Sequence, residues 1–337
     1  MVQKICVVGL GAVGGMFAAW LGSRSPAGAL RLSALARGAT LAAVRAHGLL
    51  LESGGERIAV PLTVSDDPAA LGPQDLVVLA VKGPALAAAA PAVRALCAPH
   101  TRVLCAMNGV PWWFFDGLEA GAGRAAGLRL ESVDAGGVVR ALIAPGRVIG
   151  CVVHLSAATP APGVVRHTGG HALVVGNAVG APDDSLQAAA ALLERAGFDV
   201  TRSPRVQREL WFKLWGNMTM NPVSALTGAT CDRILDDELV RTFCSAVMRE
   251  AQALGAAFGI PIAQQPEERH AVTRRLGAIK TSMLQDLEAG RPLELDALLG
   301  AVREIGLRLG IATPHVDALF GLARLLGRTR GLYAAGA

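Results

Sequence analysis

Lysine is scarce in this chain. Of its 32 basic residues only Lys4, Lys82, Lys213 and Lys280 are lysines, so arginine is the default cation and each lysine invites a question. Aromatic residues make up only 4% of the 337, with a single tyrosine, and the arginines are scattered rather than clustered in runs. A nucleic-acid partner therefore finds no support, while a net charge of +5 suits a protein that collects small anions. No apolar run reaches eighteen residues without a proline or charge, which argues against a membrane span. The six cysteines contain no C-x-x-C pair and read as small core residues in a reducing compartment, so a soluble, cytoplasmic protein is expected. The sequence also lacks a G-x-S-x-G nucleophile elbow and a P-loop lysine pattern. Its one close histidine pair, His167 and His171 in "HTGGH", straddles two glycines and reads as a turn, so no metal site is expected.

What is present is a compact, Ala- and Gly-rich chain, 52% apolar and 18% charged, long enough for two domains. It begins with "KICVVGLGAVGGMFAAWLG", whose glycines interrupt the apolar run that a signal peptide needs. The segment reads instead as a buried strand, a tight turn and a helix, with Gly9, Gly11 and Gly14 in G-x-G-x-x-G spacing. The first glycine permits the turn, the second lets the backbone approach a pyrophosphate, and the third allows close helix–strand packing. "LRLSALA", "DLVVLAVK" and "TRVLCAMNG" read as further strands, with "TLAAVRAHG" and "ALAAAAPAVRALC" as helices between them. This alternation predicts an α/β fold with a Rossmann-type, doubly wound parallel sheet. "GLLLES" and "ERIAVPL" around Gly54–Gly55 read as an inserted hairpin.

A second absence bears on the cofactor. Residues 1–51 contain no Asp or Glu, so no carboxylate stands where an NAD site would hold the ribose 2′-hydroxyl. Arg37 occupies the corresponding place after the second strand and favours a 2′-phosphate, hence NADPH. A solvated loop arginine is the alternative. Lys82 and Asn108 fall at strand ends, where the ligand crevice of such sheets lies, although a strand-end residue can also turn to solvent.

After a helix and last strand in "APDDSLQAAAALLERAGFDVTRS", helical periods run through 206–220, 231–258, 266–289, 294–309 and 314–328, broken at "NP", "GIP" and "RP". The expected organisation is a nucleotide domain over 1–204 and an all-helical domain over 205–337, with substrate in a cleft between them. Within "ELWFKLWGNMTMNPVSAL", Lys213 sits in an apolar, Trp-flanked stretch, with Asn217 and Asn221 following at i+4 and i+8 on nearly the same face. A helix lysine commonly lays its stem on apolar surface with its ammonium in water, and the asparagines can be capping or turn residues.

"GLGAVGG", "AVK", "NGV", "ELWFKLWGNMTMNPVSALTG", "TSMLQDLEAGRPLELD" and "GIATP" together resemble the ketopantoate reductases, in order and spacing, over nearly the whole chain. The resemblance implies NADPH-dependent reduction of a 2-oxo acid, 2-dehydropantoate to pantoate, on the way to pantothenate and coenzyme A. It implies Lys213 as proton donor to the ketone oxygen and Glu294 as support for the lysine and substrate. It further implies Asn217, Asn221 and Ser282 as substrate-binding residues, with Ser282 at the carboxylate. Arg37 and Lys82 match cofactor positions, and Asn108 matches a position beside both the nicotinamide ribose and the substrate.

The chemistry of lysine agrees, since hydride addition to a carbonyl develops negative charge on oxygen that an ammonium can stabilise and then protonate. An arginine, with a pKa above ~12, would hardly give up its proton. Glu294 also suits the first turn of a helix after Pro292, where an acid complements the dipole. Two departures from the family pattern are "VPWWFF", whose Trp112, Trp113, Phe114 and Phe115 either pack into the sheet or reshape the pocket, and an added loop, "SRSPAG". The first leaves open a sibling reductase of another 2-oxo acid; a non-catalytic NADP(H)-sensing protein is the reading from another class. A homodimer is a further expectation, since apolar helical domains commonly support one.

Overall fold

The computed structural model describes residues 3–26, 28–118, 123 and 125–333. It divides into two compact units: Met1–Met107 with Val138–Glu209, and Asn108–Gly137 with Leu210–Ala337.

The first unit runs β1 (Gln3–Val8), α1 (Ala12–Arg24), β2 (Leu30–Leu35), α2 (Gly38–His47), β3 (Leu49–Ser53), β4 (Glu56–Val60), β5 (Thr63–Ser65), β6 (Gln74–Leu79), α3 (Leu86–Ala95), β7 (Cys97–Cys105), α4 (Val138–Leu142), β8 (Val148–Ala161), β9 (Val164–Asn177), α5 (Asp184–Arg195) and β10 (Asp199–Arg202). The strand order is β4-β3-β9-β8-β7-β6-β1-β2-β5, with β10 on β9. Strands β7, β6, β1, β2 and β5 are parallel neighbours. Val7, Val78 and Leu104 at their centres are fully buried, as expected where helices cover both faces. Of the loop "SRSPAG", residue 27 lies outside the described residues.

The sheet is parallel-dominated but mixed. The inserted hairpin is present as antiparallel β3–β4, and a second antiparallel pair, β8–β9, has two strands of 14 residues each. The turn expected at "HTGGH" is therefore a correction: His167 and His171 both lie in β9. The glycines instead serve a break in register, with Gly170 at φ +68, where a Cβ would come within 2.6 Å of the His154 carbonyl oxygen.

The second unit is helical: α6 (Val206–Thr227, which begins in the first unit), α7 (Cys231–Asp236), α8 (Glu238–Ala257), α9 (Pro266–Arg274), α10 (Ser282–Glu288), α11 (Ala301–Leu309) and α12 (Pro314–Thr329). Four expected helices are redrawn. The "NP" break does not end α6, which continues through Pro222 to Thr227; burial of Met218, Asn221 and Val223 outweighs one missing backbone hydrogen bond. The 231–258 span divides at Asp237, whose carboxylate accepts from Val240 N at 3.0 Å and starts a new helix. The 266–289 span divides before Thr281, which caps α10. The 294–309 span opens with a π-helical turn, Asp296–Gly300, before α11.

Candidate active site

In the first unit, β1 delivers the chain into the glycine turn, and each glycine has a separate physical duty. Gly9 has φ +94, a conformation closed to most side chains. A Cβ on Gly14 would collide with the Gly9 carbonyl oxygen, so α1 can lie on the turn only without one. Gly11, the N-cap of α1, differs: a Cβ there would meet nothing within 4 Å. Packing does not require glycine at that place, whereas a pyrophosphate approaching the backbone would. The helix start has no side-chain cap and no acidic residue in its first turn, so its N–H groups remain available to an anion.

A cleft of about 530 Å³ opens there, lined by Gly9 and Gly11, by Arg37 and Thr40 at the start of α2, by Val81 and α3, and by Thr159–Gly163. Arg37 is exposed, and its guanidinium makes no hydrogen bond or ion pair with another described residue. Glu52, the first acid in the chain, is already engaged by Arg166 at 2.8 Å. These residues fit a dinucleotide. Lys82 is half-buried beside Val81 at the start of a short 3-10 turn and is not among the cleft residues. The Thr159–Gly163 wall escaped the sequence reading because it comes from the end of β8 and the turn into β9, more than a hundred residues from the glycine motif. The period-2 alternation of "VVHLSAAT" and the proline–glycine run "TPAPG" were its available signals.

In the second unit, Lys213 Nζ donates to Asn108 Oδ1 at 3.0 Å. The lysine stands on α6, fixed from behind by Trp211 and Trp215, both nearly inaccessible to solvent. The Trp215 indole N–H donates to the Met248 carbonyl at 2.8 Å. Asn108 is placed by the next two residues. Gly109 has φ +82 and touches the Asp296–Gly300 turn so closely that a Cβ would lie 2.5 Å from Ala297 O; Val110 N donates to that oxygen at 2.8 Å.

Glu294 stands two residues before the same turn and is half-buried; it is not in the first turn of a regular helix. Its neighbours are tied down, Leu293 N donating to Leu332 O at 3.0 Å and Tyr333 donating its hydroxyl proton to Asp296 at 2.6 Å. The asparagine loop and the glutamate segment are thus stitched to one another, with the lysine bonded to the first.

Asn217 is half-buried and Asn221 buried on α6, and neither side-chain amide bonds another described residue. Ser282 is exposed at the first residue of α10, behind its capping Thr281, with no hydrogen bond from its hydroxyl to a described residue. The aromatic cluster resolves one departure. Trp113, Phe114 and Phe115 are 1–2% exposed, and the two Phe rings pack edge-on against Phe258. They form core.

Residues 5–112 match the family model "Ketopantoate reductase PanE/ApbA", and residues 205–327 match "Ketopantoate reductase PanE/ApbA C terminal". A 2-dehydropantoate 2-reductase of Mesorhizobium japonicum is 41% identical over 332 residues, covering 98% of this chain and 100% of the relative. One from Halobacterium salinarum is 31% identical, over 86% and 88%. Among solved structures, a PanE/ApbA family ketopantoate reductase from Ralstonia eutropha JMP134 superposes with TM-score 0.82 at 28% identity, covering 98% of this chain and 100% of that one. A D-mandelate dehydrogenase determined with NADH and anilino(oxo)acetate shares the fold, with TM-score 0.82 at 19% identity, covering 98% of this chain and 100% of its own.

Proposed function

This chain belongs to the ketopantoate reductase family, and from that premise we propose that it reduces 2-dehydropantoate to pantoate with NADPH, a step towards pantothenate and coenzyme A. It is an oxidoreductase whose cofactor is a nicotinamide dinucleotide. The preference for the 2′-phosphorylated form rests on Arg37 at the cleft and on the lack of any acid in residues 1–51. Gly9, Gly11 and Gly14 would form the pyrophosphate turn, with Lys82 as a further contact to the cofactor.

The observation that carries the reading is the Lys213–Asn108 pair. An amide oxygen 3.0 Å from the ammonium fixes its direction. A nicotinamide dinucleotide held by Gly9, Gly11, Gly14, Arg37 and Lys82 would supply the hydride that reduces C2 of the 2-oxo acid. As charge grows on the carbonyl oxygen, Lys213 stabilises it and then transfers a proton, giving the 2-hydroxy acid. Glu294 serves as the acidic support of this lysine, while Asn217, Asn221 and Ser282 bind the substrate. The nucleotide role falls to residues 1–204 and the substrate role to 205–337. A cytoplasmic homodimer is part of the proposal; among the described residues no helix is long and apolar enough to cross a membrane.

Initial rates of NADPH oxidation with ketopantoate test this directly. Wild type is expected to be fast and slower with NADH, and Lys213→Ala to lose about 10²–10⁴-fold in kcat with an unchanged melting temperature. Near-wild-type turnover by that variant removes the lysine from the mechanism. Arg37→Ala is expected to raise the KM for NADPH at least about tenfold while leaving that for NADH nearly unchanged. An equal change for both cofactors would deny the 2′-phosphate contact.

A further inference from the structure

The chain's single tyrosine, Tyr333, is placed by the way α12 ends. Gly331, at φ +66, takes the left-handed conformation that closes a helix, its N–H donating to Arg328 O at 3.0 Å and that of Leu332 to Gly327 O at 2.8 Å. This ending reverses the chain, and Tyr333 N also donates to Gly327 O, at 3.2 Å. Gly327 is buried and leaves room for the reversal: a Cβ on it would stand 2.7 Å from the Tyr333 Cβ. Alanine would serve the helix better at that place, so the glycine answers to the tyrosine rather than to α12.

The returning chain is tied to the π-helical turn and the segment before it at two points. Leu293 N donates to Leu332 O at 3.0 Å, and the Tyr333 hydroxyl donates to Asp296 Oδ1 at 2.6 Å. Burial pushes the Asp296 pKa up, which the tyrosine's bond opposes, while burial and that carboxylate push the tyrosine above its ordinary 10. The hydroxyl therefore keeps its proton and donates it across the neutral range. π-Helical turns are rare and frequently stand at functional sites. This one carries Ala297, whose carbonyl receives Val110 N at 2.8 Å and whose atoms leave Gly109 no space for a Cβ. Asn108, the residue before that glycine, accepts from Lys213 at 3.0 Å. Within the second unit, contacts thus run unbroken from Tyr333 through Asp296 and Ala297 to Asn108 and the lysine.

We propose that Tyr333 is a positioning residue for the reaction: its bond to Asp296 holds the Asp296–Gly300 turn where that turn sets Asn108 against the Lys213 ammonium. The Leu293–Leu332 bond fixes the segment before the turn, and the tyrosine fixes the turn itself. Gly109 and Val110 touch Ala297, the residue after Asp296, so a turn released by the tyrosine shifts the loop that carries Asn108. Tyr333 acts through other residues and touches neither substrate nor cofactor, so its effect falls on turnover rather than on binding. The inference rests on the reductase reading above.

The test is a double-mutant cycle in steady-state kinetics with ketopantoate and NADPH, run well below the melting temperature. Tyr333→Phe, which removes the hydroxyl and keeps the ring, is expected to lower kcat roughly 3- to 10-fold and to change either KM by less than about twofold. Introduced into Asn108→Ala, the same substitution should have almost no further effect on kcat, because the group through which it acts is gone. An unchanged kcat in Tyr333→Phe, or an equal fold loss in both backgrounds, overturns the inference. Gly327→Ala, which favours α12 but displaces Tyr333, should lower kcat in the same range and be equally without effect beside Asn108→Ala. Should Tyr333→Phe fail to fold, an unchanged kcat or an additive loss in Gly327→Ala overturns the inference instead. Absence of wild-type turnover on any 2-oxo acid would sink the reductase reading, and this inference with it, whereas wild-type turnover with an indifferent Tyr333 sinks only the latter.

Discussion

The amide of Asn108 does at the scale of one residue what the strand before it cannot: it fixes the direction of an ammonium. A hydrogen bond to a charged group is worth about 1.5–3 kcal/mol, and 1.4 kcal/mol is a factor of ten in rate. If the 3.0 Å bond to Lys213 is made fully in the transition state, Asn108→Ala should lower kcat roughly 10- to 100-fold with little change in melting temperature. Steady-state kinetics beside thermal unfolding would check this, and a variant that only unfolds earlier would show the contact to be structural. The role proposed for Lys213 could be read from the sequence because lysine is rare here and arginine is a poor proton donor. The setting of Arg269 was not: in a chain with 28 arginines nothing in its letters says that its guanidinium makes no hydrogen bond or ion pair with another described residue.

At the scale of an element, the turn between β1 and α1 separates glycines that share a motif but not a function. Gly14 is demanded by packing, because a methyl there meets the backbone of Gly9; Gly11 faces open space. Gly14→Ala should therefore destabilise the protein by about 2–4 kcal/mol whether or not cofactor is present. Gly11→Ala should leave the melting temperature of the cofactor-free protein within about 1 °C while raising the Kd for NADPH at least about tenfold. Calorimetric titration and thermal melts distinguish the two, and similar stability losses from both would show that Gly11 is a packing glycine as well. The helices of the second unit were legible as helices but not in their ends. Asp237 and Thr281 start new helices with side chains that bond the backbone three residues on, a local choice that hydrophobic period does not record.

For the whole molecule, the ionisation of a core residue couples folding to pH. His270 is 5% exposed, its ring nitrogens bond no described residue, and burial lowers its pKa from the ordinary 6.5. The unfolded chain therefore takes up a proton first as pH falls, and stability declines below about pH 6.5 until the folded pKa is passed. His270→Met should remove this part of the slope, so the loss of urea-unfolding free energy between pH 7.5 and pH 5 should be smaller than in wild type. An identical slope would show that other groups set it. Sequence alone determined the nucleotide turn, the alternation of strands and helices around β1, β2, β6 and β7, the place of Lys213 in an apolar, Trp-flanked helix and the family, because these depend on spacing and residue type along the chain. Tertiary structure alone decided that β8 and β9 pair antiparallel with each other while joining the sheet through parallel contacts to β7 and β3, that Trp113, Phe114 and Phe115 are core, that Asn108 bonds Lys213, and that Arg269 rests against Gly216. Each of these is a meeting of residues far apart in sequence, and such meetings are selected by burial and hydrogen-bond geometry in three dimensions, which no local pattern encodes.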